Sequence, residues 1–226
     1  MNNYFEIKNS TFQAGGKDKI SSLSLKIEKE GDIVCLLGPS GIGKTTILRT
    51  IAGLERLPKG EIILKNKILS SQKNHVDPEK RNVALSFQEN SLFPHHTIQK
   101  NILLGESKKV TKKINIHEII KLLNIDHILD KFPHQISAGE AQRTSLARSL
   151  CSEPDLLLLD EPLSNIDQNF KEEIQVKLKK IIKDLKITTI VVTHDSYEAF
   201  YLGDKCGILL DKQLKQYDSP YNIYHI

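Results

Sequence analysis

Five consecutive apolar residues, Ile33-Val34-Cys35-Leu36-Leu37, run directly into Gly38-Pro39-Ser40-Gly41-Ile42-Gly43-Lys44-Thr45. An unbroken apolar run of this length suits a strand buried on both faces, the condition of a parallel sheet covered by helices. Thr45 to Ala52 then reads as a helix, closed by Gly53. Strand, glycine-rich turn and helix in that order predict an α/β fold. The buried-strand pattern recurs at Leu156 to Leu159 and at Thr189 to Val192, and Val83 to Phe87 reads as a further strand. Phe170, Ile174, Leu178, Ile181 and Leu185 line one helix face, and Glu173 and Lys177 are spaced for an i,i+4 ion pair on its outer side.

Two stretches depart from this pattern. Residues 4–28 alternate in short runs broken by Ala14-Gly15-Gly16, which predicts a small antiparallel unit. The turn Pro58-Lys59-Gly60 leads into a strand at Glu61 to Leu64. Residues 89–150 become helical in character, with Ile116, Ile119, Ile120 and Leu123 at i, i+3, i+4, i+7. The run Lys108, Lys109, Lys112 and Lys113 reads as a solvated loop there. The expectation is one domain over residues 1–226, with a helical subdomain at about 89–150 inserted into the α/β core.

Composition narrows the function classes. The chain has 226 residues, 39% hydrophobic and 27% charged, enough for a sizeable core. No apolar stretch approaches the roughly 20 residues of a membrane span, and Met1-Asn2-Asn3-Tyr4 opens no secretory signal. The net charge of +4 is small and scattered, and arginines are few, so nucleic acid is not an expected partner. Cys35, Cys151 and Cys206 make neither a metal spacing nor a disulfide framework, which fits a reducing compartment.

Gly38 to Thr45 matches G-x-x-x-x-G-K-[ST] in the strand–helix context that the motif requires. The glycines let successive backbone N–H groups turn inward as an anion nest, and the positive end of the next helix faces the same point. Lys44 is placed to neutralise the β- and γ-phosphates of a nucleotide, and the Thr45 hydroxyl to ligate Mg²⁺, a hard cation. Thr46 follows on the same turn. Leu156-Leu157-Leu158-Leu159-Asp160-Glu161 puts two carboxylates at the end of a buried strand, the edge where open α/β sheets bind ligands. Asp160 is expected on Mg²⁺ through its water shell, and Glu161 facing the water that attacks the γ-phosphate. His95-His96 makes no convincing metal pair, because adjacent side chains chelate poorly.

The order of these motifs resembles the ATP-binding cassette (ABC) ATPases over nearly the whole chain. Phe87-Gln88-Glu89 resembles the Q-loop, Ile136-Ser137-Ala138-Gly139-Glu140 the signature, Ser164-Asn165-Ile166-Asp167 the D-loop and Thr193-His194-Asp195 the switch histidine. The resemblance implies a RecA-like P-loop core with a small antiparallel β subdomain and an inserted helical subdomain. It implies that Gln88 touches Mg²⁺ or the attacking water, and that His194 contacts the γ-phosphate and helps hold Glu161. Asp167 belongs to the nucleotide interface by the same resemblance. Phe12 stands where the family places an aromatic on adenine, with Tyr4 and Phe5 as competitors. Ser137, Gly139 and Glu140 fall where the family meets the ATP of a second cassette.

The signature departs from Leu-Ser-Gly-Gly-Gln at Ala138 and Glu140. A carboxylate facing a triphosphate across the interface would weaken pairing of two copies. The resemblance further implies ATP hydrolysis driving transmembrane permease subunits, in a head-to-tail pair of cassettes on the cytoplasmic face of the inner membrane. A solute-binding protein would be an indirect partner. Leu92-Phe93-Pro94-His95 resembles the stretch that lines the permease groove. Asn82 to Ile102 and Gln216 to Tyr224 resemble bacterial importers of ferric iron, polyamines, thiamine or small oxyanions, iron being narrowly favoured. A soluble cassette ATPase of DNA repair or translation, or a weakly active regulatory cassette, is the alternative.

Overall fold

The alternating stretch at the N-terminus forms two strands that turn at Gly15 and Gly16, both at positive φ. β1 (Phe5–Ala14) and β2 (Lys17–Ile27) pair antiparallel. They join β4 (Lys59–Leu64) and β5 (Lys67–Ser71) in a four-stranded sheet of order β2-β1-β4-β5. The computed structural model describes residues 3–86, 92–106, 115–166 and 168–224. Phe87, Gln88, Glu89, Asp167 and the Lys108–Lys113 run lie outside them.

The second sheet carries the candidate site. It contains β3 (Ile33–Leu37), β6 (Val83–Ser86), β7 (Leu156–Asp160), β8 (Thr188–Thr193), β9 (Lys205–Leu210) and β10 (Gln213–Asp218). Their order is β10-β9-β3-β8-β7-β6, with β10 antiparallel to β9 and the other neighbours parallel. The apolar runs are continuous because both faces of this sheet are covered. Ile33, Cys35, Leu157, Leu159 and Val191 enter one core cluster. Val34, Leu36, Leu156, Leu158, Ile190 and Val192 enter the other, together with β1, β2, β4 and helix α1 (Lys44–Ala52). A fully buried leucine is worth about 1.5–3 kcal/mol over an exposed one, so the four leucines of β7, all at 0% exposure, anchor the strand that ends in Asp160.

Helices α2 (Ile98–Leu103), α3 (Ile116–Leu122) and α4 (Ala138–Cys151) lie between β6 and β7 in the chain. Ile98, Ile102, Ile119, Leu123 and Leu146 share a core cluster with Leu157 and Leu159, so α2 to α4 pack continuously onto the sheet. α5 (Gln168–Asp184), α6 (Ser196–Leu202) and α7 (Pro220–Tyr224) complete the fold. The Lys177–Glu173 pair forms on α5. Among the described residues no helix is long and apolar enough to cross a membrane.

The helix after the glycine-rich loop is held at both ends by backbone that only glycine adopts easily. Gly43 precedes it at φ = 117° and Gly53 closes it at φ = 88°. The buried Arg81 guanidinium caps its C-terminus, donating to Thr50 O (3.1 Å) and Ile51 O (2.8 Å). A cation there complements the negative end of the helix. A Cβ on Gly53 would lie 2.5 Å from Arg81 Nε, so residue 53 has no room for a side chain.

Candidate nucleotide site

β3, β8 and β7 are neighbours and parallel, so their C-terminal ends meet at one edge. β3 delivers the loop Gly38–Gly43, β7 delivers Asp160 and Glu161, and β8 delivers His194. A cavity of about 430 Å³ opens there, lined by Ser40, Gly41, Gly43, Lys44, Thr45, Thr46 and Glu161. Gly41, at φ = 79°, has nothing within 4 Å of where a Cβ would stand, so its backbone faces open space. Gly38 is the opposite case, because a Cβ there would lie 2.8 Å from Leu209 O. Pro39 is exposed and Ile42 half-buried on the same loop, outside the cavity lining.

Lys44 is buried against the loop that precedes it. It is only 5% exposed, and its Nζ donates to Gly38 O (2.6 Å) and Pro39 O (3.1 Å). Glu161 Oε1 lies 4.0 Å away. Burial lowers the Lys44 pKa, opposed by Glu161 and Asp160. Asp160, also buried, is raised by burial and by Glu161, while a hydrogen bond from Thr45 and the charge of Lys44 lower it. The Thr45 hydroxyl, which lines the cavity, is therefore already paired with the Asp160 carboxylate. Two hard oxygen donors side by side fit a Mg²⁺ ion.

Glu161 stands at φ = 46°, in the left-handed region that a non-glycine residue enters at a cost of about 1–3 kcal/mol. Its N–H donates to Val192 O at 2.9 Å, which ties it to the end of β8. Its carboxylate Oε1 lies 3.1 Å from His194 Nδ1. His194 is exposed, but the residues on either side of it are fixed. Thr193 Oγ1 accepts from Asp195 N (3.0 Å) and donates to Glu198 Oε2 (3.0 Å). Asp195 accepts from the N–H groups of Tyr197 and Glu198 at the start of α6 and pairs with Lys171 Nζ at 2.6 Å. Glu198 is buried, and burial pushes its pKa up to about 7 despite Thr193 and Lys171. Sequence reasoning missed Lys171 and Glu198, although Asp195 followed three residues later by Glu198 is a helix-start spacing.

Three expected site residues stand differently. Phe12 has 0% exposure and packs with Phe5, Ile7 and Ile62, so its ring offers no face to an adenine. It sits on the inward side of β1, where period-two alternation buries an aromatic. Glu140 does not turn outward either. Its Oε2 accepts from Ser137 N (2.7 Å) and Ser137 Oγ (2.8 Å), and its Oε1 lies 3.0 Å from His127 Nε2. Ser137 in turn accepts from Glu140 N, which completes a capping box at the start of α4. The Ser137 N–H above all holds the Glu140 pKa down to about 2. Ser137 thus spends its hydroxyl proton on its own helix. Gly139 abuts Asn165, where a Cβ would meet the carbonyl oxygen at 2.7 Å. None of residues 137–140 lines the phosphate cavity. Gln88 and Asp167 lie outside the described residues.

A family model described as ABC transporter matches residues 20–164. The Fe(3+) ions import ATP-binding protein of Fusobacterium nucleatum subsp. nucleatum is 40% identical over 223 residues, covering 97% of this chain and 59% of that protein. A maltose/maltodextrin import ATP-binding protein of Yersinia pestis is 37% identical over 221 residues, covering 96% and 58%. The chain thus spans somewhat more than half the length of these curated relatives. A dimeric ATP-binding cassette solved in a post-hydrolysis state with ADP and Pi superimposes with a TM-score of 0.79 at 27% identity, covering 96% of this chain and 98% of that one. A phosphate loop, two strand-end carboxylates and a histidine at one sheet edge, matched in sequence and in fold, place this chain in the ABC transporter family.

Proposed function

We propose that the chain is the ATP-hydrolysing subunit that powers a membrane importer. The observation that carries this is the convergence of Lys44, Asp160, Glu161 and His194 on one edge of the sheet, where Lys44 and Glu161 line the cavity of about 430 Å³ and His194 Nδ1 lies 3.1 Å from Glu161 Oε1. The inward backbone of Gly41 and Gly43 and the Lys44 ammonium bind the triphosphate. Thr45 and Asp160, with Gln88, would hold Mg²⁺, which neutralises phosphate charge when bound. Glu161 accepts a proton from the attacking water, and His194 fixes the carboxylate and meets the γ-phosphate.

A head-to-tail pair of two such chains brings Ser137 and Gly139 of one to the ATP of the other, and Asp167 belongs to that interface. Residues 89–150 act as the inserted subdomain that meets the permease subunits. Phe93, Leu103 and Leu104 are exposed apolar side chains in this part of the chain and support that surface. The complex places the chain at the cytoplasmic face of the inner membrane, with a solute-binding protein as indirect partner. The Fusobacterium relative, named for Fe(3+) import, favours ferric iron as cargo.

The test is phosphate release from ATP by the purified chain. Turnover that depends on Mg²⁺ and is lost in Glu161→Gln supports the proposal. Mg²⁺-independent or absent turnover, with and without the co-expressed permease, overturns it.

A further inference from the structure

One side chain outside the cavity holds the candidate base in place. Gln142 lies on α4, one turn beyond the start of that helix, and is 3% exposed. Its amide spans the gap between α4 and the turn that follows β7. Nε2 donates to Glu161 O at 2.7 Å and reaches Ser164 Oγ at 3.4 Å. Oε1 accepts from Asn165 N at 3.1 Å. Both ends of one amide are therefore used on one short turn.

That turn contains the strained residue. Glu161 is a non-glycine at φ = 46°, and such a conformation persists only where its surroundings over-determine it. Its carbonyl also accepts from Ser164 Oγ (3.0 Å) and Ser164 N (3.2 Å), and its N–H is bound to Val192 O. The peptide on either side of Glu161 is thus pinned, and the direction of the carboxylate toward His194 follows from it. A second contact links the same two segments. Gly139 approaches Asn165 so closely that a Cβ would stand 2.7 Å from its carbonyl oxygen. The first turn of α4 and the Glu161–Asn165 turn are consequently locked together by one close backbone approach and one bridging amide.

The chemistry demands a primary amide of this length. Leucine or methionine fills the space and forms neither bond. A carboxylate keeps the acceptor for Asn165 N but turns an oxygen toward Glu161 O, and regains a donor only when protonated.

We propose that Gln142 is a positioning residue for ATP hydrolysis. It holds the Glu161 peptide in its left-handed conformation and couples it to the helix start that bears Ser137 and Gly139. A shift of that helix start, as a second copy closes on it, is then transmitted to the base. This rests on the proposed role of Glu161.

The experiment compares Gln142→Met, Gln142→Glu and Glu161→Gln in kcat, KM for ATP, affinity for a non-hydrolysable ATP analogue and Tm. A catalytic group misplaced by about 1 Å costs roughly 10²-fold. Gln142→Met is therefore expected to lose about 10- to 100-fold in kcat, with KM and analogue affinity near wild type and Tm lowered only by the two lost buried hydrogen bonds. Gln142→Glu is expected to recover kcat, relative to wild type, as pH falls and its carboxyl gains a proton. A kcat for Gln142→Met within about twofold of wild type, while Glu161→Gln is inactive, overturns the proposal. So does a parallel fall of kcat, analogue affinity and Tm, the mark of a packing role. If Gln142→Met does not fold, a Gln142→Glu pH profile parallel to wild type overturns it. Normal turnover in Glu161→Gln instead removes the base assignment on which it stands.

Discussion

His194 Nδ1 and Glu161 Oε1 lie 3.1 Å apart, brought together from the ends of the adjacent parallel strands β8 and β7. Neither side chain alone says which acts on the substrate proton. Together they give a carboxylate oriented by an imidazole, beside the Lys44 ammonium 4.0 Å from Glu161 Oε1.

Glu161→Gln preserves shape and removes the proton acceptor. Its kcat is expected to fall about 10²–10⁴-fold, with ATP affinity retained. Steady-state phosphate release and equilibrium binding of labelled ATP measure the two effects separately. His194→Ala should fall in the same direction, because the carboxylate loses its partner.

Lys44→Ala removes a charge-assisted contact of about 1.5–3 kcal/mol, so ATP affinity should weaken by about 10- to 100-fold. The structure adds a second consequence. Lys44 Nζ now bonds Gly38 O and Pro39 O, so the loop itself loses two tethers. Protection of the loop from protease is expected to fall even without nucleotide. Unchanged ATP affinity would rule out the phosphate-loop assignment.

Glu198 makes stability depend on pH. Its pKa is raised from the carboxyl value of 4.5 to about 7 in the fold, chiefly by burial. The folded state therefore binds the extra proton more tightly than the unfolded chain. The stability this gives is present below the unfolded value and is lost as pH rises through about 7. Glu198→Gln keeps an acceptor for Thr193 Oγ1 without the titration. Melting curves from pH 5 to 8 should slope downward in the wild type and flatten in the variant. Identical slopes would assign the pH dependence to another group.

Glu140 occupies the Ser137 hydroxyl and N–H, so a phosphate that reached Ser137 would have to displace it. In a Glu161→Gln background, Glu140→Gln is expected to increase ATP-dependent pairing, most at low salt where charge is least screened. Sizing chromatography reads this directly, and equal dimer fractions would remove the competition argument. The capping box also has a stability side. The Glu140 pKa is depressed to about 2, so its contribution is present above the ordinary carboxyl range and fades as pH falls through about 2. At neutral pH, Glu140→Ala should cost about 0.3–1.5 kcal/mol, the range for one element of a helix-start capping motif, measurable by urea denaturation.

What the sequence by itself determined was written within a few residues at a time. The βα unit around Gly38–Thr45, the helix stop at Gly53 and the double-sided burial of Leu156–Leu159 depend on backbone preference and on short periodicity, both local. The carboxylates at the end of β7 were legible for the same reason, since they end an apolar run. The tertiary structure decided everything that depends on which distant segment lies alongside. Phe12 and an aromatic exposed to ligand look alike in sequence, and only the cover of α1 and the small sheet buries it. Arg81 finds the end of α1 30 residues back, and Gln142 finds Glu161 19 residues ahead. Glu198 acquires its raised pKa from burial that no local pattern encodes. The hydrogen bonds and desolvation that tune the site act over a few ångströms in space but across long stretches of chain, so only the fold could set them.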